Sequence, residues 1–127
     1  MTTEENRRLA EAAWTMLQKQ DWDGLMELFS DDFVQEWPQS GERLLGKEKC
    51  IEVNRTYPGG LPQSEVRNVR ADGNLATTEV ALTYPDGSSW RGISIFEFRD
   101  GKITKEIDYF AQPFEAPAWR AHLVEKM

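Results

Sequence analysis

Three glycine turns divide the second half of this chain into four stretches of one kind. Asp72-Gly73, Pro85-Asp86-Gly87 and Asp100-Gly101 separate residues 63–71, 75–84, 88–98 and 102–110. Glycine supplies the positive φ that a tight hairpin needs, and β-branched and aromatic residues fill the stretches between. Consecutive strands joined by such short turns form an antiparallel meander, which constrains the fold more than any other feature of the chain.

The first half has a different period. Thr2 or Thr3 can cap a helix whose first turn carries Glu4 and Glu5, and Leu9, Ala10, Ala13, Trp14 and Leu17 recur at helical spacing to about residue 19. Asp21 caps a second, short helix with Leu25, Leu28 and Phe29 on its apolar side, which Ser30-Asp31-Asp32 is expected to end. Phe33 to Trp37 reads as a short strand stopped by Pro38, and residues 39–46 as a loop or hairpin arm. A third helix is expected at about 47–56, anchored by Ile51 and Val53 and broken by Tyr57-Pro58-Gly59-Gly60. Helices followed by a meander predict an α+β fold with the helices packed on one face of the sheet. The tail from Gln112 contains Pro113 and Pro117 and predicts a short helix near 119–125. With 127 residues and no linker or repeat, one domain is expected over 1–127, its core at about 5–111 and a C-terminal extension at 112–127.

Composition narrows the partners. The net charge of −7 argues against nucleic acid and anionic membranes. No apolar run approaches the roughly 20 residues of a membrane helix. The polar start and the single cysteine, Cys50, point to a reducing, cytoplasmic setting. No His, Cys and acidic cluster has metal-ligand spacing, and no glycine loop suits a phosphate, so neither a metal nor a cofactor is expected. His122, the one histidine, falls in the tail and reads as a surface residue.

Several motifs occur in a familiar order. They are Gln20-Asp21-Trp22-Asp23-Gly24-Leu25, Leu28-Phe29-Ser30-Asp31-Asp32-Phe33, Gly46, Phe96-Glu97-Phe98-Arg99-Asp100-Gly101-Lys102-Ile103 and Asp108-Tyr109-Phe110. Over residues 5–111 the chain resembles the SnoaL-like branch of the NTF2-like superfamily. The resemblance implies a cone of three N-terminal helices packed on a curved, mainly antiparallel sheet around a small apolar molecule. That superfamily includes ketosteroid isomerases, polyketide cyclases, epoxide hydrolases, dehydratases and domains without catalysis. Fold therefore does not settle activity.

Against ketosteroid isomerases, the resemblance puts Glu106, Asp108 and Phe110 of the last strand toward the pocket, with Ser94 and Phe96 of the strand before, Tyr84 on the second strand, and Asn54 from the third helix. It also exposes departures. The isomerase general-base Asp falls at Trp37, the oxyanion-hole Tyr at Ala13, and the second oxyanion acid at Ser94. That constellation is absent, and Trp14, Trp37 and Trp90 imply aromatic walls instead.

Glu106 and Asp108 stand at i and i+2, so one face of a strand carries both, roughly 7 Å apart. Two carboxyls at the base of an apolar cone cannot both ionise cheaply, and one should stay protonated. Asp108 is expected as base and Glu106 as acid or as the group that tunes it, with Ser94 and Asn54 as donors to a developing enolate. The expected activity is cofactor-free cyclase, isomerase or lyase chemistry on an apolar carbonyl compound. The alternative is a non-catalytic ligand-binding or dimerisation module, in which the two acids are satisfied by backbone, Lys105 or Arg91 and the tryptophans are core. A homodimer through the outer sheet face is also expected, since Ile93, Ile95, Ile103, Ile107 and Tyr109 alternate onto it.

Overall fold

The computed structural model describes residues 2–127. Helix α1 (Thr3–Lys19) starts on a capping box in which Thr2 accepts from the Glu5 amide and Glu5 reaches back to Thr2, and it ends at Gln20 in the left-handed conformation. Its buried face is narrow and small: Asn6, Ala10 and Ala13. Small residues let the helix lie close on the sheet, and Asn6 and Thr3 tie its start to the backbone of Gly73 (2.8 and 3.0 Å). Helix α2 (Trp22–Leu28) is capped by the Asp21 side chain, which accepts from the Gly24 amide.

Ser30-Asp31-Asp32 does not end α2 in a loop. Strand β1 (Phe29–Trp37) begins directly at Phe29. Its register against the sheet shifts between Phe29 and Val34, and the Phe29 and Phe33 rings stack at 4.0 Å. Four residues of a regular strand span roughly 13 Å, so the polar Ser-Asp-Asp segment bulges outward while the two rings close beneath it. Strand β2 (Glu42–Leu45) returns as a hairpin arm, and α3 (Lys47–Arg55) follows.

The meander comprises β3 (Gln63–Asp72), β4 (Leu75–Thr83), β5 (Ser89–Arg99) and β6 (Lys102–Ala111). Asp100 and Gly101 both take positive φ, the two-residue turn that suits the strand twist. The first turn falls one residue later than expected, on Gly73-Asn74, because Asp72 pairs with Leu75. The helices do not simply precede the sheet. Strand β1 lies between α2 and α3 in sequence and pairs parallel with β6, giving one sheet of six strands in the order β2-β1-β6-β5-β4-β3. The short helix expected in the tail is a 3₁₀ helix at Ala118–Leu123, a fourth helical segment after the three N-terminal helices.

One face assignment needs correction. Strict alternation along β6 puts Ile103 on the outer face, yet Ile103 is fully buried in the core with Phe96 and Phe98. The β5–β6 register steps from Glu97–Lys105 to Phe98–Ile103, leaving Thr104 as the extra residue of a bulge. A bulge reverses the facing of every residue beyond it and bends the strand. With a second bulge in β3 between Val66 and Asn68, it curves the sheet around α1 and α3. Among the described residues no helix is long and apolar enough to cross a membrane.

Candidate active site

The concave face of the sheet, together with α1, α2, α3 and the segment after α3, encloses a cavity of about 910 Å³. That is within the usual size of a small-molecule site. Trp14, Trp37, Asn54, Tyr84, Trp90, Phe96 and Phe110 line it, and so do Glu106 and Asp108. Ser94 does not.

The phase of β6 beyond the Thr104 bulge turns Glu106, Asp108 and Phe110 inward. Neighbouring strands then present fixed partners. Antiparallel pairing sets Ser94 opposite Asp108, and parallel pairing sets Gln35 opposite Glu106. Asp108 is 2% exposed and accepts three side-chain hydrogen bonds. Ser94 Oγ donates to Oδ1 at 2.6 Å, while Gln35 Nε2 and Trp37 Nε1 donate to Oδ2 at 2.7 and 3.1 Å. The same Gln35 amide also donates to Glu106 Oε2 at 3.2 Å.

Glu106 is half-buried, and its free surface opens into the cavity. Burial, the neighbouring Asp108 charge and a hydrogen bond to Asp108 together push its carboxyl well above the ordinary glutamate range; the Gln35 amide opposes this. Glu106 is therefore the member of the pair that keeps its proton, and Asp108 is the member surrounded by donors.

Two expected donors are otherwise engaged. The Ser94 hydroxyl is fully buried and spent on Asp108, so it is a support for the acid and not a ligand contact. The Asn54 amide lines the cavity but donates to the Cys50 carbonyl one helical turn back, at 2.8 Å. Trp14 both lines the cavity and donates to buried Thr78 at 2.9 Å. Trp90 meets the edge of Tyr84, whose hydroxyl lies 3.3 Å from that of Tyr57 at the mouth. Glu36 and Arg43 occupy paired positions of the β1–β2 hairpin, with Glu36 bound to Lys105 on the outer face at 3.3 Å; they form no part of the cavity wall. Cys50 faces the cavity, but burial and the nearby acids push its thiol far up, so it is no nucleophile.

Sequence reasoning missed Gln35 and Gln39. Gln35 sits between Phe33 and Trp37 on the inward face of β1, and a polar amide between two inward aromatics was the available signal. Gln39 clamps the β1–β2 hairpin to the end of β6, its amide donating to the Phe110 carbonyl at 2.6 Å and its carbonyl accepting from the Phe110 amide. Gly92 has a further role. A Cβ there would lie 3.1 Å from both the Phe110 ring and Val80, so its bareness lets Phe110 fold over β5 into the cavity wall. Among the described residues, no group of three His, Cys, Asp or Glu side chains is arranged to hold a metal ion.

Comparison with known proteins follows this architecture. A model of the SnoaL-like domain matches residues 10–106. An NTF2-like protein of unknown function from Burkholderia xenovorans LB400 is 37% identical, with 98% of this chain and 96% of that one covered and a TM-score of 0.87. A protein provisionally designated a ketosteroid isomerase, from Kribbella flavida DSM 17836, is 33% identical over 98% of this chain and 91% of its own, with a TM-score of 0.91. An epoxide hydrolase of the LEH-like type from M. tuberculosis is 30% identical over 86% and 84%, with a TM-score of 0.74. No curated protein matches the chain.

Proposed function

This chain belongs to the SnoaL-like domain family, and from that premise we propose that it is a cofactor-free acid/base enzyme acting on a small, largely apolar carbonyl compound. The observation that carries the reading is the Glu106–Asp108 pair at the wall of a mainly apolar cavity. A carboxylic acid beside a carboxylate offers a proton to a carbonyl oxygen and takes one from the adjacent carbon, which is the minimum for enolisation, isomerisation or ring closure. Glu106, with its proton and its opening to the cavity, is the donor. Asp108 is the acceptor, oriented by Ser94, Gln35 and Trp37. Trp14, Trp37, Trp90 and Phe110 supply apolar walls that position the substrate and exclude water. The solved relatives designated as an isomerase and an epoxide hydrolase support small-molecule chemistry in this fold.

One observation favours a second reading. Both oxygens of Asp108 are already engaged and the side chain is 2% exposed, as befits the floor of a purely binding pocket. Hydrogen–deuterium exchange at the α-carbon of 2-tetralone in D₂O separates the two. An enzyme accelerates exchange and loses the acceleration in Asp108→Asn; a binding module raises the melting temperature with the ketone yet leaves exchange at the solvent rate.

We also propose a homodimer through the outer face of the sheet. Ile93 and Tyr109 are 46% and 44% exposed there, with Ile95 and Ile107 beside them. Light scattering that returns the mass of a single chain contradicts it.

A further inference from the structure

The cavity wall carries three carboxyl side chains, Glu42, Glu106 and Asp108, and no lysine, arginine or histidine. The chain has fifteen Lys and Arg residues and one His, and all of them lie elsewhere. A carboxylate or phosphate bound inside would meet like charge in a low-dielectric wall with nothing to neutralise it. The hydrogen-bond inventory leans the same way. The donors at the floor, from Gln35, Trp37 and Ser94, are all spent on Asp108 and Glu106. What is left over is an acceptor: Gln35 Oε1, on a 6% exposed side chain at the cavity wall, is buried without a partner. Trp14, Trp37 and Trp90 also line the cavity, and aromatic rings attract cations.

From this cluster of carboxyls, absence of cationic groups and aromatic wall, we infer that the carbonyl compound the cavity takes also carries a positive charge, as a protonated amine on an apolar, ring-sized scaffold. The inference rests on the small-molecule reading above and names the class of molecule. It carries a consequence. The groups facing Glu106 are Asp108 on its own strand, Gln35 on β1, Phe96 across on β5 and the neutral thiol of Cys50 on α3. None is a cation, so Glu106 keeps its proton in the free protein. An ammonium group arriving beside the pair supplies the missing counter-charge and lets Glu106 part with its proton, to the carbonyl oxygen of a substrate or, for an amine without a carbonyl, to solvent. Binding of the amine is coupled to release of up to one proton.

Isothermal titration at pH 7 with 1-naphthylmethylamine, 1-naphthylmethanol and 1-naphthoate, each in phosphate and in Tris, tests this. The amine binds at least tenfold more tightly than the alcohol, the buffer dependence of its heat reports proton release, and naphthoate does not bind. In wild type the amine's affinity rises with pH by up to tenfold per unit below the point where Glu106 ionises. In Glu106→Gln the proton release disappears; should that variant not fold, the wild-type pH series decides alone. Alcohol or naphthoate binding as tightly as the amine overturns the cation inference and leaves the small-molecule reading standing. Amine binding without proton release or pH dependence overturns the role given to Glu106. Failure of all three compounds to bind overturns both readings.

Discussion

Replacing Glu106 by Gln should change how stability depends on pH in a way that only a proton-holding Glu106 produces. In the unfolded chain Glu106 ionises near the ordinary glutamate value, roughly 4.3. In the fold, burial and Asp108 hold its carboxyl well above that value. Below the unfolded value both states are neutral, and wild type and variant differ by a pH-independent amount. Above it the unfolded chain releases a proton that the folded chain keeps. The wild type then loses stability relative to the variant by about 1.4 kcal/mol per pH unit, until the folded-state value is reached and the difference levels off. Glutamine stays neutral throughout and its amide can donate to Asp108 in place of the carboxyl proton, so the difference isolates one titration. Urea unfolding of both proteins at half-unit intervals from pH 4 to 9, with unchanged m-values, measures it. Curves that run parallel across that range, or a wild type that gains on the variant as pH rises, would refute the reasoning.

Other substitutions follow from the same geometry. Ser94→Ala removes the 2.6 Å donor to buried Asp108 and should cost about 1.5–3 kcal/mol, measured by urea unfolding at pH 7. Gly92→Ala drives a methyl against the Phe110 ring and Val80 at 3.1 Å; a loss of about 1–3 kcal/mol is expected, together with a changed ligand affinity as Phe110 is displaced. Thr2→Ala breaks the capping box of α1 and should lower stability by about 1 kcal/mol without altering ligand binding. Native protein should leave Cys50 unmodified by a thiol reagent that labels it at once in denaturant, because the thiol is buried and its ionisation suppressed.

The meander was legible because glycine at a positive-φ turn is a local, steric requirement, and the two-residue turn at Asp100-Gly101 sits where the sequence places it. The capping residues Thr2 and Asp21 were legible for the same reason. What could not be read was non-local. The parallel pairing of β1 with β6 joins residues some seventy positions apart, and only that pairing brings Gln35 opposite Glu106. Strict alternation then misplaced Ile103, because a single extra residue at Thr104 reverses the faces of β6 and leaves no mark in composition. The resemblance to ketosteroid isomerases turned Glu106 and Asp108 toward the pocket, and their i, i+2 spacing put both on one face, which holds on the uninterrupted side of that bulge. Ser94 was expected at the ligand because the resemblance gives its face but not its partner; the partner depends on register, and register sets it opposite Asp108.

Direct observation of the Glu106 carboxyl tests the central claim most sharply. With ¹³C-labelled glutamate, the Glu106 side-chain resonance can be assigned by its disappearance in Glu106→Gln and then followed through a pH titration of the ligand-free protein. The expected result is a midpoint well above the ordinary glutamate range, falling when Asp108→Asn removes the neighbouring charge. A midpoint in the ordinary range, unmoved by Asp108→Asn, would contradict the shared-proton pair on which the proposed chemistry rests.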